Sequence, residues 1–262
     1  MRKAIFTLTI GEKYETAFNE LARANWQTYC DRFGYELIVI NQPLDMSDRA
    51  QKRSPAWQKL LILSLNGSEV YDRIVWVDSD ILINSDHAYD IADGVPLEKV
   101  GAAEEYSTPT REIFQIGLKR LYDAWDRGGV TYLNNLTPQA YYGNRGFPNV
   151  AFDQVVQTGV LVCSPKHHKQ IFEHTYFNYE DTHGSEWNYE MPALSFELLK
   201  SDSVHWISQR FNFCVSHLIS ALYPDFNDTN AQKYLKNIHD LSIFMHFAGC
   251  SSLMPLMKGI AQ

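Results

Sequence analysis

Long hydrophobic runs are missing from this sequence. No stretch of about 18 apolar residues occurs along its length, which excludes a membrane-spanning helix by the thickness a bilayer demands. Cysteine is scarce: Cys30, Cys163, Cys214 and Cys250 stand far apart and form no C-x-x-C pair. That excludes a zinc ribbon and a dense disulfide framework, and the four read as buried thiols of a reducing, cytoplasmic compartment. A positive excess is also missing. The 23 Lys and Arg against 31 Asp and Glu leave a net charge of −8, which argues against a nucleic-acid binder built on a basic stripe. An export signal is not expected. The apolar stretch after Arg2 and Lys3 is short, interrupted by Thr7 and Thr9, and soon followed by Glu12 and Lys13. The N-x-S/T sequons at Asn66, Asn135 and Asn227 then read as chance. G-x-G-x-x-G, G-x-x-x-x-G-K-[ST] and G-x-S-x-G are all absent, so no phosphate-loop or nucleophile-elbow signature competes.

What is present is an ordinary globular composition. With 45% hydrophobic and 21% charged residues, the chain buries enough apolar surface to fold, and disorder is excluded. Its 262 residues fit one α/β domain. Apolar runs at residues 4–10, 35–40 and 73–77 predict strands. Between them, 14–33 has a helical apolar stripe with Gly34 placed to end it, and Ser54-Pro55 opens a second helix that stops near Gly67. Strand–helix–strand–helix–strand implies a mostly parallel sheet with helices on both faces. Further strands are expected at 100–103, 160–163, 204–207 and 243–247. Helices are expected at 110–125, 166–177, 193–199 and 213–222, with a long loop over 132–150. The whole reads as one domain in two lobes.

The strongest local signal is Asp78-Ser79-Asp80, the only D-x-D in the chain, straight after the strand Arg73–Val77 and before apolar Ile81-Leu82-Ile83. Ligands of open α/β sheets bind at the carboxyl ends of strands, and two acids there can converge on Mg²⁺ or Mn²⁺. The alternative is a solvated turn. A lone His246 after Ile243-Phe244-Met245 reads from the residues either as a hydrogen-bonded core histidine or as a ligand. The aromatics Trp125, Tyr132, Tyr141, Tyr142 and Phe147, with Trp187 and Tyr189, offer either a ligand-stacking surface or a satellite hydrophobic cluster.

This arrangement resembles glycosyltransferases of the GT-A fold, and more narrowly those of family 8 and the related galactosyl/mannosyltransferase family 34. Gln157-Thr158-Gly159-Val160-Leu161-Val162 resembles the N-[AS]-G-V-[ML] strand that closes the donor sugar pocket. Glu190-Met191-Pro192-Ala193-Leu194-Ser195 resembles the acidic segment that opens a helix beside the reacting sugar. Phe211-Asn212 resembles the W/F-N pair, and His246-Phe247-Ala248-Gly249 the terminal H-[FY]-x-G whose histidine completes the metal site. The family's Lys-Pro-Trp shortly after that motif is replaced by Cys250-Ser251-Ser252-Leu253-Met254-Pro255, and its Asn-Ser or Asn-Ala by Gln157-Thr158.

The resemblance implies a GT-A domain over residues 1–262, with a nucleotide-binding half to about 105 and an acceptor-binding half after it. It implies a cation held by Asp78, Asp80 and His246, with Mn²⁺ favoured over Mg²⁺ because imidazole is the softer ligand. Donor contacts are expected from Thr7, Thr9, Tyr14, Lys59, Asp78, Ser79, Asp80, Gln157, Thr158, Gly159 and Gly249, with Asp153 and Gln154 near the sugar. Glu190 is the catalytic candidate, as nucleophile, cation stabiliser or acceptor anchor. The expected activity moves a sugar from a nucleotide diphosphate sugar, UDP-linked, to a hydroxyl acceptor with retention. A nucleotidyltransferase and a non-catalytic sugar-nucleotide or glycan-binding module are the alternatives.

Overall fold

A computed structural model of the chain describes residues 1–148, 152–180 and 189–258. Its strands are β1 (Lys3–Leu8), β2 (Tyr35–Ile40), β3 (Arg73–Val77), β4 (Ile81–Ile83), β5 (Val100–Glu104), β6 (Val156–Cys163), β7 (Val204–Trp206), β8 (Phe213–Cys214) and β9 (Phe244–His246). Its helices are α1 (Glu12–Leu21), α2 (Arg23–Phe33), α3 (Asp48–Gln51), α4 (Arg111–Gly128), α5 (Pro138–Gly143), α6 (Pro165–Asn178), α7 (Met191–Lys200), α8 (Val215–Leu222) and α9 (Ala231–Leu241). A 3₁₀ helix over Pro55–Ser64 lies between α3 and β3.

The central sheet has the order β2-β1-β3-β6-β5-β7, and a small sheet has the order β4-β9-β8. In the central sheet only β6 runs against its neighbours β3 and β5; the other pairings are parallel. Side chains alternate across it, as period-2 geometry requires. Ile5, Val75, Val77, Val160 and Val162 pack with α1, α2, α8 and α9 on one face. Ala4, Phe6, Ile74, Trp76, Leu161 and Cys163 pack with the 3₁₀ helix, α6 and α7 on the other. Both faces are covered, which is why β3 reads as apolar without alternation. Trp26 of α2 is wholly buried, and its truncation would cost roughly 3–5 kcal/mol.

Several expectations are corrected. The single helix expected over 14–33 is two, broken at Ala22, whose φ of −117° leaves the helical range. The break lets Phe18 and Trp26 meet edge to face with centroids 5.0 Å apart. The Ser54-Pro55 helix is 3₁₀, with Trp57, Gln58, Lys59, Leu60, Ile62 and Leu63 buried. The loop expected over 132–150 contains α5, started by Thr137 accepting from the backbone N–H of Ala140. Phe213 and Cys214 are a strand, with the helix starting after them. No element is expected between residues 222 and 243, yet α9 lies there. Its buried stripe is only Ala231, Leu235, Ile238 and His239 in an otherwise polar run. Among the described residues no helix is long and apolar enough to cross a membrane.

Candidate metal and donor site

The Asp78-Ser79-Asp80 turn is where the chain passes from one sheet to the other. β3 ends in the central sheet and β4 begins in the small one. Helix α2 pins β4 from behind: Trp26 Nε1 donates to the Ile81 carbonyl at 2.9 Å and Asn25 Nδ2 to the Ile83 carbonyl at 2.7 Å. β9 pairs antiparallel with β4 and sets His246 opposite Ile81. The backbone N–H of Phe247 donates to the Asp80 carbonyl at 3.0 Å. Sheet register thus carries a histidine from late in the chain to two acids from early in it. His246 Nε2 lies 3.2 Å from Asp80 Oδ1 and 3.7 Å from Asp78 Oδ2.

Ligand atoms from these three side chains lie within 4.8 Å of one another. Two carboxylates and an imidazole on one point fit a divalent cation with mixed oxygen and nitrogen preference. The fourth wall is Gly159. Its N–H and carbonyl are both engaged, the carbonyl by Asp78 N–H at 2.8 Å. A Cβ there would stand 2.4 Å from His246 Cε1, so only glycine fits. The strand distorts to bring it there: Ala102 faces Leu161 while Ala103 faces Gln157, looping 158–160 out of the β5 ladder. Bulges of this kind re-aim groups beside functional sites.

Behind the triad sits a buried lysine. Lys59 Nζ contacts Asp78 Oδ1 at 2.9 Å and Glu190 Oε1 at 2.9 Å, and lies 5.3 Å from the Trp76 ring centroid. Burial pulls its pKa down, but Asp78 and Glu190 outweigh that and hold it above the ordinary lysine value. Trp76 Nε1 also donates to Asp78 Oδ1 at 2.8 Å. One oxygen of Asp78 is thereby anchored and the other is turned toward His246. Burial opposes charge on Asp80, yet His246 beside it holds the carboxyl below the usual range. Burial likewise pulls His246 down, and Asp80 and Asp78 together leave it above its ordinary value.

Glu190 precedes α7 but makes no capping bond to it. Its Oε1 accepts from Thr158 Oγ1 at 2.7 Å and meets Lys59, while its Oε2 is buried without a partner. The carboxylate therefore belongs to the Lys59 cluster and not to the helix end. Thr7 and Thr9 are wholly buried, and both hydroxyls lack partners. Tyr14 is exposed on α1, Ser79 half-buried between the acids, and Gly249 exposed at φ 70° in the turn after β9. Gln157 is 7% exposed, and its Oε1 accepts from both Gly159 N–H and Asn212 Nδ2. Asp153 is exposed, and its carbonyl accepts from Arg111, while the Gln154 carbonyl accepts from Tyr142. A cavity of about 300 Å³ is lined by Ile10 and Gln58, chain neighbours of Thr9 and Lys59, with Asp45, Gln51 and Arg53.

The aromatic stretch resolves toward packing. Tyr141 and Tyr142 are buried, Tyr122 stacks on Tyr132 at 4.3 Å, and Phe147 packs on Phe196 at 4.9 Å. Tyr189, beside Glu190, is exposed, and Trp187 lies outside the described residues. His168, at the start of α6, is buried with its Nδ1 accepting from Ser164 N–H, and burial pushes its pKa down to about 4. Glu105 is absent from the sequence reading. Its Oε2 is buried without a partner, and burial first and Glu104 second push its carboxyl up to about 7, with His246 pulling the other way. The available signal was a pair of successive acids at the carboxyl end of a buried strand.

No protein-family model matches this chain, and no curated protein matches it by sequence. Among solved structures it is similar to a glycosyltransferase involved in the glycosylation of the major capsid of PBCV-1. The identity is 12% and the TM-score 0.56, over 98% of this chain and 100% of that one. The fold is one that glycosyltransferases use. Two further neighbours are the bifunctional glycosyltransferase WbbM in its apo form and a Drosophila β1,4-galactosyltransferase 7 mutant in complex with manganese, UDP-Gal and xylobiose. Their identities are 12% and 13% and their TM-scores 0.49 and 0.40. They match 95% and 79% of this chain and 46% and 64% of their own. Those two scores carry no argument. The family 8 and family 34 resemblance remains a resemblance of motifs.

Proposed function

We propose that the chain is a metal-dependent glycosyltransferase that moves a sugar from a UDP-linked donor to a hydroxyl acceptor with retention. The observation that carries this reading is the convergence of Asp78, Asp80 and His246 at the carboxyl end of β3, on a fold shared with a glycosyltransferase. Asp78, Asp80 and His246 would hold the cation, with Mn²⁺ favoured by the imidazole. When bound, the cation supplies electrostatic stabilisation to the leaving diphosphate. Residues 1–105 would bind the nucleotide and 106–262 the acceptor. The unpartnered hydroxyls of Thr7 and Thr9, at the carboxyl end of β1, are the place for base and ribose.

The chain's own residues set the rest. Lys59 bridges Asp78 and Glu190, and its single positive charge offsets part of their mutual repulsion, so the two carboxylates can share a small site. Thr158 and Lys59 fix Glu190 Oε1, and its unpartnered Oε2 is the group to face the positive charge that develops at the anomeric carbon.

The test is release of UDP from a panel of UDP-sugars, with Mn²⁺ and with EDTA. Expected is turnover with at least one donor that stops in EDTA, and loss of Mn²⁺-dependent UDP binding in Asp80→Ala by calorimetry. Unchanged UDP affinity in that variant would sink the metal assignment. Pyrophosphate formed from a nucleoside triphosphate and a sugar phosphate would show a nucleotidyltransferase instead. Binding without turnover would show a module that only holds its ligand.

A further inference from the structure

We propose that Asn212 and Gln157 are positioning residues that decide which nitrogen of His246 is offered to the cation. The proposal rests on the reading of Asp78, Asp80 and His246 as a metal site. A neutral imidazole carries its proton on one nitrogen and a free lone pair on the other, and only the bare nitrogen can be a ligand.

The choice is made by a chain of hydrogen bonds that starts at the backbone. The N–H of Gly159 can only donate, and it meets Gln157 Oε1 at 2.5 Å. Turned the other way, the carboxamide would set its NH₂ against that N–H, so the orientation of Gln157 is fixed. The same oxygen accepts from Asn212 Nδ2 at 2.7 Å. Asn212 must therefore present Oδ1 to His246, where it lies 2.7 Å from Nδ1. An amide oxygen can only accept, so Nδ1 carries the proton. Nε2 is left to face Asp80 and Asp78.

The chain is closed to water, with Asn212, His246 and Gln157 at 0%, 2% and 7% exposure. The Cys214 sulfur, 3.9 Å from Nδ1, is the other neighbour of that nitrogen and a weak acceptor. Outer hydrogen bonds of this kind orient metal-bound histidines and set their basicity. Gln157 was expected to touch the donor sugar. Its oxygen is committed twice inside the protein, and its Nε2 lies 3.7 Å from Cys214 Sγ.

Mn²⁺ binding to the full chain, followed by the paramagnetic resonance of the free ion, tests this in Asn212→Leu and Asn212→Asp, with melting curves in EDTA for both. Aspartate keeps an acceptor opposite Nδ1 while giving up the donor to Gln157 Oε1, and leucine removes both. Expected is a loss of about 10–100-fold in Mn²⁺ affinity for Asn212→Leu, with Asn212→Asp staying within about threefold of wild type. Wild-type affinity in Asn212→Leu, or equal losses in both variants, would overturn the proposal. Should Asn212→Leu fail to fold, long-range ¹⁵N–¹H spectra of the wild-type protein with Cd²⁺ decide. A proton on Nδ1 with cadmium on Nε2 supports the relay, and the reverse overturns it. A wild-type chain that binds neither ion overturns the metal reading itself, and the relay with it.

Discussion

Replacing Glu105 by glutamine should make this protein more stable at pH 8 and leave it unchanged at pH 4.5. Glu105 follows β5 with one carboxylate oxygen buried and unpartnered, and Glu104 beside it. Burial and that neighbouring charge raise its pKa from the ordinary 4.5 to about 7. The sign follows from proton linkage. The folded protein holds this proton more tightly than the unfolded chain, so folding is favoured while the group is protonated. The benefit is complete below 4.5 and is lost as pH rises through 7. At roughly 1.4 kcal/mol per pH unit, the full shift corresponds to about 3 kcal/mol, and partial exposure of the residue trims this to about 1–2 kcal/mol. Glutamine keeps the volume and cannot ionise. Urea denaturation of both proteins in EDTA, at half-unit steps from pH 4.5 to 8, gives the difference directly, and other titrating groups cancel in it. A difference that stays flat across this range would refute the reasoning, and a wild-type protein that gains on the variant as pH rises would reverse its sign.

Gly159→Ala places a methyl group against His246 Cε1 and Nδ1. Melting should show a cost of about 1–3 kcal/mol from overpacking, and Mn²⁺ titration should show weakened binding. Lys59→Met keeps the stem but removes the cation between Asp78 and Glu190. Denaturation should report a loss of about 3–5 kcal/mol, as for a buried pair stripped of one partner, and recovery of part of it when Glu190→Gln is added. Trp26→Phe removes the bond to the Ile81 carbonyl. Its cost in stability of about 1 kcal/mol should come with weaker metal binding, because β4 loses its anchor next to the acids.

The elements that sequence patterning located are those whose burial is two-sided or strongly periodic. β2 and β3 have the bounds the apolar runs give, and Gly34 ends α2 in the left-handed conformation. Helix α9 does carry a stripe at helical spacing, Ala231, Leu235 and Ile238, which the expected elements left out, whereas the break at Ala22 has no proline or glycine to announce it. At the site, the acid pair was legible because it follows an apolar strand, whereas His246 was open between a core histidine and a ligand until the H-[FY]-x-G resemblance favoured the ligand. The roles of Gln157 and Asn212 were not legible, because a carboxamide looks the same in sequence whether it faces a ligand or another amide. Glu190 was open to a capping reading that only the position of Lys59 removes. Glu105 was signalled only by its pairing with Glu104 at a strand end, and its burial comes from the fold.

The separation of the ligands along the chain bears on how the protein is made. During synthesis Lys59 is available to Asp78 almost at once, so that carboxylate acquires its counter-charge early. Asp80 must wait for His246, which arrives only when β9 adds to β4 across a very long loop. Such closures are the entropically slow contacts of a fold. A nascent or truncated chain that stops short of β9 carries both acids and lacks the third ligand. Metal affinity would then report whether the last strand has docked, and would separate a finished molecule from one still without it.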